Sequence, residues 1–205
     1  MVYPRKSIMG SGNLKYYVIN KPFRVLSQFT PLEGKQCLSD YFNFEKDVYS
    51  IGRLDYDSEG LLLLTNDKHL KAFIQEPANK ISKQYLVQTE GAFTSNAARL
   101  LEKGIEIKTD KGFYKTKPCK VDILSSEPNL HDRNPPVRFR KNIPTSWVCI
   151  TLSEGKNRQI RKMTAKTGFP TLRIVRIKIG HVGFEGLLPG QYRELTKNEL
   201  AGFRL

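Results

Sequence analysis

The chain has 205 residues, with 34 Lys and Arg against 20 Asp and Glu and a net charge of +14. That length is enough to bury a core without staples. No apolar run is long enough to cross a membrane, and three cysteines without a CxxC pair exclude a zinc ribbon or a disulfide framework. The charge points to a polyanionic partner, nucleic acid first. Its distribution is uneven: residues 131–205 hold fifteen basic residues against five acids, and Lys156 to Lys178 holds eight with no acid.

Residues 1–13 read as a basic arm without the apolar stretch of a secretory signal, and 14–205 as one catalytic-size domain of two lobes sharing a sheet. Leu14 to Asn20 predicts a strand, stopped at Asn20-Lys21-Pro22 because proline cannot donate to a ladder. Leu26 to Gly34 reads as loop and Cys37 to Phe42 as a short helix. Val48 to Gly52 predicts a short buried strand. Gly52 to Gly60 follows with one arginine, three carboxylates and two glycines, and Leu61 to Leu64 is an apolar run of strand length. Carboxylates held between buried segments are costly unless paired or hydrogen-bonded, so this turn is either a salt-bridge knot or a reaction centre.

Asp67 to Gln75 predicts a helix with Leu70, Phe73 and Ile74 on one face. Gln84 to Thr89 reads as a strand. Thr94 caps a helix through Lys103, with Gly104 as its stop. Ile105 to Lys108 and Phe113 to Leu124 predict two strands, the second carrying Pro118 at an edge or bulge. Ser125 to Pro144 is a long, proline-rich loop in which Arg138 and Arg140 are candidate RNA contacts. Trp147 to Leu152 and Leu172 to Ile179 read as strands, with a helix from Asn157 to Thr167 between them. A short helix near Lys197 to Ala201 ends the chain. Loops too short for helical crossovers imply an α+β fold, a mainly antiparallel mixed sheet flanked by helices and loops.

On the 157–167 helix, Ile160, Met163, Thr164 and Thr167 form the inner face. Arg158, Lys162 and Lys166 line the outer one, placed for phosphates together with Lys156. Arg161 sits on the flank, where its planar fork can reach a half-buried carboxylate. Asp55-Tyr56-Asp57 invites a metal reading, which Arg53, two residues before Asp55, opposes. No metal site, Gly-rich phosphate loop or nucleotide cofactor is expected.

Several segments together resemble the RsuA/Rlu group of ribosomal RNA pseudouridine synthases. Asn20-Lys21-Pro22, the run Gly52 to Leu62, Ser82 to Val87, Glu154 to Met163, and Leu187 to Gly190 with Arg193-Glu194-Leu195 follow that family's motifs in order. The run Pro136 to Trp147 is similar to the RluE-type branch, which acts on large-subunit ribosomal RNA. Only nineteen residues precede Asn20, too few for the S4-type RNA-binding domain of many relatives.

The resemblance implies isomerisation of a uridine without cofactor or metal, and makes Asp55 the catalytic carboxylate. It makes Tyr85 the residue stacked on the target base and Arg53 the one filling the space of a flipped nucleotide. Arg161 is expected to supply the opposite charge that keeps Asp55 ionised, while Asp57 and Glu59 are expected to be structural. The expected partner is large-subunit ribosomal RNA, met by a monomeric, cytoplasmic enzyme without membrane attachment. A ribosome-associated RNA-binding protein without catalysis stands as the alternative, and a metal-dependent phosphohydrolase as a more distant one.

Overall fold

The structure, a computed structural model, describes residues 13–203 apart from Phe139; the N-terminal arm, up to residue 12, lies outside them. Its strands are β1 (Tyr16–Lys21), β2 (Val25–Leu26), β3 (Gln36–Cys37), β4 (Tyr49–Ser50), β5 (Glu59–Thr65), β6 (Lys83–Glu90), β7 (Glu106–Thr109), β8 (Gly112–Lys115), β9 (Lys120–Ile123), β10 (Thr145–Leu152), β11 (Thr171–Ile179), β12 (Val182–Gly183) and β13 (Tyr192–Glu194). The helices are α1 (Lys68–Gln75), α2 (Ser95–Glu102), α3 (Gln159–Lys166) and α4 (Lys197–Ala201).

One nine-stranded sheet runs in the order β13-β1-β5-β11-β6-β10-β9, with β4 paired to β5 and β12 to β11. Every pairing in it is antiparallel except β5 with β11. Both outer strands, β13 and β9, are short, which limits edge-to-edge association. The apolar run resolves as β5, buried on both faces: Leu61 and Leu63 pack with α1 residues Leu70 and Ile74, while Leu62 and Leu64 pack with Ile19, Val25 and Phe42. A strand covered on both sides has no polar face, which is why its leucines run without alternation. In the other half of the sheet, Val87, Val148, Ile150 and Ile174 pack under α2 and α3 residues Ala97, Leu101, Ile160 and Met163.

The two halves meet at β5 and β11, which pair only at Glu59 with Val175 and Gly60 with Arg176. Gly60 has φ +102°, and a Cβ there would lie 2.3 Å from the Arg176 carbonyl oxygen and 2.8 Å from its nitrogen. Only glycine supplies both the backbone conformation and the clearance.

The helix termini follow the caps in the sequence: Asp67 accepts from the amides of His69 and Leu70, Thr94 from Ala97, and Thr196 from Glu199. Four expectations need correction. Phe113 to Leu124 is two strands in different sheets, because Pro118 interrupts the ladder between β8 and β9. Val48 to Gly52 contributes only the two residues of β4, with Tyr49 exposed. Cys37 to Phe42 shortens to one 3-10 turn, Leu38–Asp40. The 157–167 helix begins at Gln159, because Arg158 takes a left-handed conformation at φ +51°.

Gly60→Ala should lower stability by about 2–4 kcal/mol, since both strain and a backbone clash result. Gly34, with φ +70° and open space around it, is the control, and Gly34→Ala should cost about 1 kcal/mol. Urea unfolding of the two variants gives the comparison.

Candidate active site

A cleft of about 850 Å³ opens where the two halves of the sheet meet. Its walls include Arg53, Asp55, Lys83, Tyr85, Lys156, Arg158, Arg161 and Arg176. Asp55 sits in a turn held on several sides. The Ser58 amide donates to the Asp55 carbonyl at 3.0 Å and the Arg24 amide to the Tyr56 carbonyl at 2.9 Å. Ser27 Oγ donates to the Leu54 carbonyl and accepts from the Leu54 amide, at 2.8 and 3.0 Å. From the far half of the sheet, Arg161 Nη2 donates to the Asp57 carbonyl at 2.7 Å.

The carboxylates of the turn divide the cations among themselves. Asp57 accepts from both terminal nitrogens of Arg158 at 2.9 Å, and its Oδ2 lies 3.3 Å from Arg161 Nε. Burial works against the charged Asp57, but the Arg158 bonds and the two guanidinium charges outweigh it and hold its carboxyl below the ordinary range. Glu59 accepts twice from Arg173, at 2.9 Å each, with both side chains nearly inaccessible. Asp57 and Glu59 thus both bind arginine side chains, the contacts expected of them. Arg161 is not paired with Asp55 but with Asp57, two residues on. Its short reach from the flank of α3 ends at the turn's backbone and leaves the Asp55 carboxylate without an ion pair or side-chain hydrogen bond among the described residues.

The expected phosphate-facing row on α3 also changes. The left-handed Arg158 folds back onto Asp57 instead of facing outward. Lys162 and Lys166 lie outside the cleft lining, whereas Lys156 lines it, with its ammonium 4.6 Å from the Tyr114 ring centroid. Arg53 is exposed at the cleft. Arg138 and Arg140 line a separate hollow of about 460 Å³, where Arg140 pairs with Glu90 at 2.9 Å. Their loop is tied down by Arg133, which donates to the carbonyls of Pro135 and Pro136 and stacks 4.1 Å from the Phe23 ring centroid.

Four site residues escaped the sequence reading. Glu154 accepts from the Tyr114 hydroxyl, Gln159 Nε2 and the Lys117 amide, and so rigidifies the approach to α3. Arg176 lies beside Tyr85 on the neighbouring strand. Lys83 shares the Tyr85 face of β6. Lys21, fully buried behind the turn, donates to the carbonyls of Pro22 and Val25. Burial pushes its ammonium down to about 7 despite the attraction of Glu59, Asp57 and Asp55, with Arg176 adding to the depression. The signal for Arg173 and Arg176 was present as cations spaced through the β-branched run of 171–179.

Residues 15–166 match the family model of RNA pseudouridylate synthases. The ribosomal large subunit pseudouridine synthase E of Vibrio parahaemolyticus is 49% identical over 183 residues, 89% of this chain and 74% of the relative. That of Xanthomonas axonopodis pv. citri is 44% identical over 174 residues, 84% of this chain and 89% of the relative. A crystal structure of a pseudouridylate synthase superposes with a TM-score of 0.77 at 28% identity, covering 93% of this chain and 74% of that one. The motif resemblance and the α+β expectation are both borne out.

Glu59→Gln leaves the buried Arg173 charge without its partner and should lower stability by about 3–5 kcal/mol in urea unfolding. Lys21 binds its proton more weakly folded, at about 7, than unfolded, at its ordinary 10.5. Stability therefore gains with rising pH through that window, where the unfolded chain holds the extra proton. In Lys21→Met that gain should disappear, as measured by denaturant midpoints between pH 7 and 10.

Proposed function

The chain belongs to the RNA pseudouridylate synthase family, and on that footing we propose that it isomerises one uridine of large-subunit (23S) ribosomal RNA, with Asp55 as the catalytic carboxylate. The observation that carries this reading is the convergence of Asp55, Tyr85, Arg161 and Arg53 on one cleft from segments far apart in the chain. The relatives at 44–49% identity are named as large-subunit synthases, which supports the choice of RNA.

The reaction breaks the C1′–N1 bond, turns the base and rejoins it through C5, without redox change or outside energy. The carboxylate that acts at the sugar must be unencumbered. Asp55 meets that need because its neighbours Asp57 and Glu59 engage the nearby arginines. Arg161 acts as a positioning residue. It fixes the backbone of the turn and contributes attraction to Asp55 through space.

Tyr85, half-buried on β6, offers its ring to the detached base, and base–aromatic stacking is worth roughly 1–3 kcal/mol. Arg53, exposed at the cleft, fills the place of the flipped nucleotide and offsets part of the few kcal/mol that flipping costs. Lys156 at the rim and Lys166 on the outside of α3 meet phosphates.

Asp55→Asn should abolish tritium release from 5-tritiated uridine in large-subunit ribosomal RNA while leaving filter-binding affinity within about twofold of the parent, since no phosphate contact is removed. Turnover surviving in that variant would sink the assignment. Mapping pseudouridines in ribosomal RNA from cells lacking the protein identifies the target.

A further inference from the structure

Two cleft arginines bury a donor without a hydrogen-bond partner among the described residues, Arg161 at Nε and Arg176 at Nη2; Arg161 Nε lies 3.3 Å from the Asp57 carboxylate, whereas Arg176 has no ion pair among those residues. It faces Tyr85 in register across β11 and β6, with its guanidinium carbon 6.0 Å from the Tyr85 ring centroid. The residue is 3% exposed. Its Nε donates to the Leu61 carbonyl at 2.8 Å, just beyond the end of the β5–β11 pairing. Its Nη2 is buried and, among the described residues, has no hydrogen-bond partner. An arginine stays charged, so burying one of its N–H groups unsatisfied is costly unless something else accepts from it.

The acids of this region do not meet that need. Glu59 is committed to Arg173, and Asp57 to Arg158 and Arg161. Lys83 lines the same cleft, its ammonium pushed below the ordinary range by burial and by the Arg176 charge. Beside Tyr85 the wall is therefore cationic, whereas the carboxylate Asp55 stands on the turn.

We propose that Arg176 is a catalytic residue that holds the detached uracil as an anion, its Nη2 donating to a carbonyl oxygen of the base. The inference rests on the proposed uridine isomerisation. When C1′–N1 breaks, both electrons leave with N1, and the negative charge spreads over N1 and the two carbonyl oxygens. Asp55 either bonds to C1′ or takes the C2′ proton; both routes leave the same base anion. C5 then bonds to C1′ while the bond or proton held by Asp55 is returned, which leaves the ring neutral; the C5 proton passes to solvent and N1 takes a proton from it, so no net proton is gained or lost. The neutral base in uridine accepts weakly, whereas the detached anion accepts strongly. A fixed, dry guanidinium therefore stabilises the detached state over the ground state, which is what lowers a barrier. Charge on the base also keeps it against Tyr85 while it turns.

The test uses a short RNA carrying the mapped target, with uridine or 5-fluorouridine at the reacting position. Single-turnover loss of that nucleoside is followed by chromatography of nuclease digests. Fluorine makes the departing base a more stable anion, less dependent on Arg176. Arg176→Lys and Arg176→Gln should lose roughly 100-fold on uridine, the usual cost of removing one charge-stabilising donor, and a clearly smaller factor on 5-fluorouridine, with RNA affinity unchanged. Partial unfolding would scale both substrates alike, so the ratio survives any loss of folded protein. Equal losses on both, or no loss on uridine, would overturn the role. Absence of turnover in the unsubstituted protein would instead overturn the isomerase reading itself.

Discussion

The close approach of two backbones, β5 at Gly60 and β11 at Arg176, is the constraint on which the site depends. β5 carries the turn that holds Asp55; β11 adjoins β6, which carries Tyr85. The halves of the sheet share only the bridges at Glu59 and Gly60, so their relative position is set there. A side chain at residue 60 would push them apart by its contact with the Arg176 carbonyl. The bond from Arg176 Nε to the Leu61 carbonyl then closes a ladder that the diverging strands leave open. Packing crosses the same junction, with Ile179 of β11 in one cluster with Leu61 and Leu63 of β5.

The turn is locked across the same junction by charge. Arg161 and Arg158 reach Asp57 from the other half of the chain, and Arg173 reaches Glu59. Of the eight basic residues between Lys156 and Lys178, these three and Arg176 are engaged within the protein, Arg158 while still exposed. The segment that looked like a binding face is in large part an internal brace. Its contribution to RNA binding falls to the exposed members outside these ion pairs, Lys156 and Lys166, so the salt dependence of binding should reflect few contacts from this segment.

Much of this was legible beforehand. Periodicity located α1 and the Thr94 cap located α2, because both signals are local, and the short helix near Lys197 to Ala201 falls where it was expected. The double burial of β5 showed as an unbroken leucine run. What escaped was set by three-dimensional neighbours. Pro118 was visible as a breaker, but the separation of β8 from β9 into different sheets is a matter of pairing, which spacing does not encode. Arg158 was assigned to a helix face by counting, yet its backbone turned left-handed and its side chain went to Asp57. The distinction between Asp55 and Asp57 as partner of Arg161 depends on a shift of two residues in a turn. Lys21 and Arg176 were missed because a buried cation looks like a surface one in sequence.

The three carboxylates of the turn are best understood as a division of labour imposed by burial. A turn rich in acid beside arginines would, if unassigned, collapse into ion pairs, and a paired carboxylate is a poor reagent. Glu59 takes the buried Arg173 and Asp57 takes two more arginines, each through geometry fixed by the strand junction. The guanidiniums so used neutralise the turn without touching Asp55. Its carboxylate is therefore held in place by backbone bonds to Leu54, Tyr56 and Asp57 rather than by its own side chain. Rigidity comes from the main chain and from neighbouring charges, and the Asp55 side chain remains at the cleft without an ion pair among the described residues. Preorganisation of this kind costs no rearrangement when substrate arrives, and it explains why so acidic a turn needs so basic a surrounding.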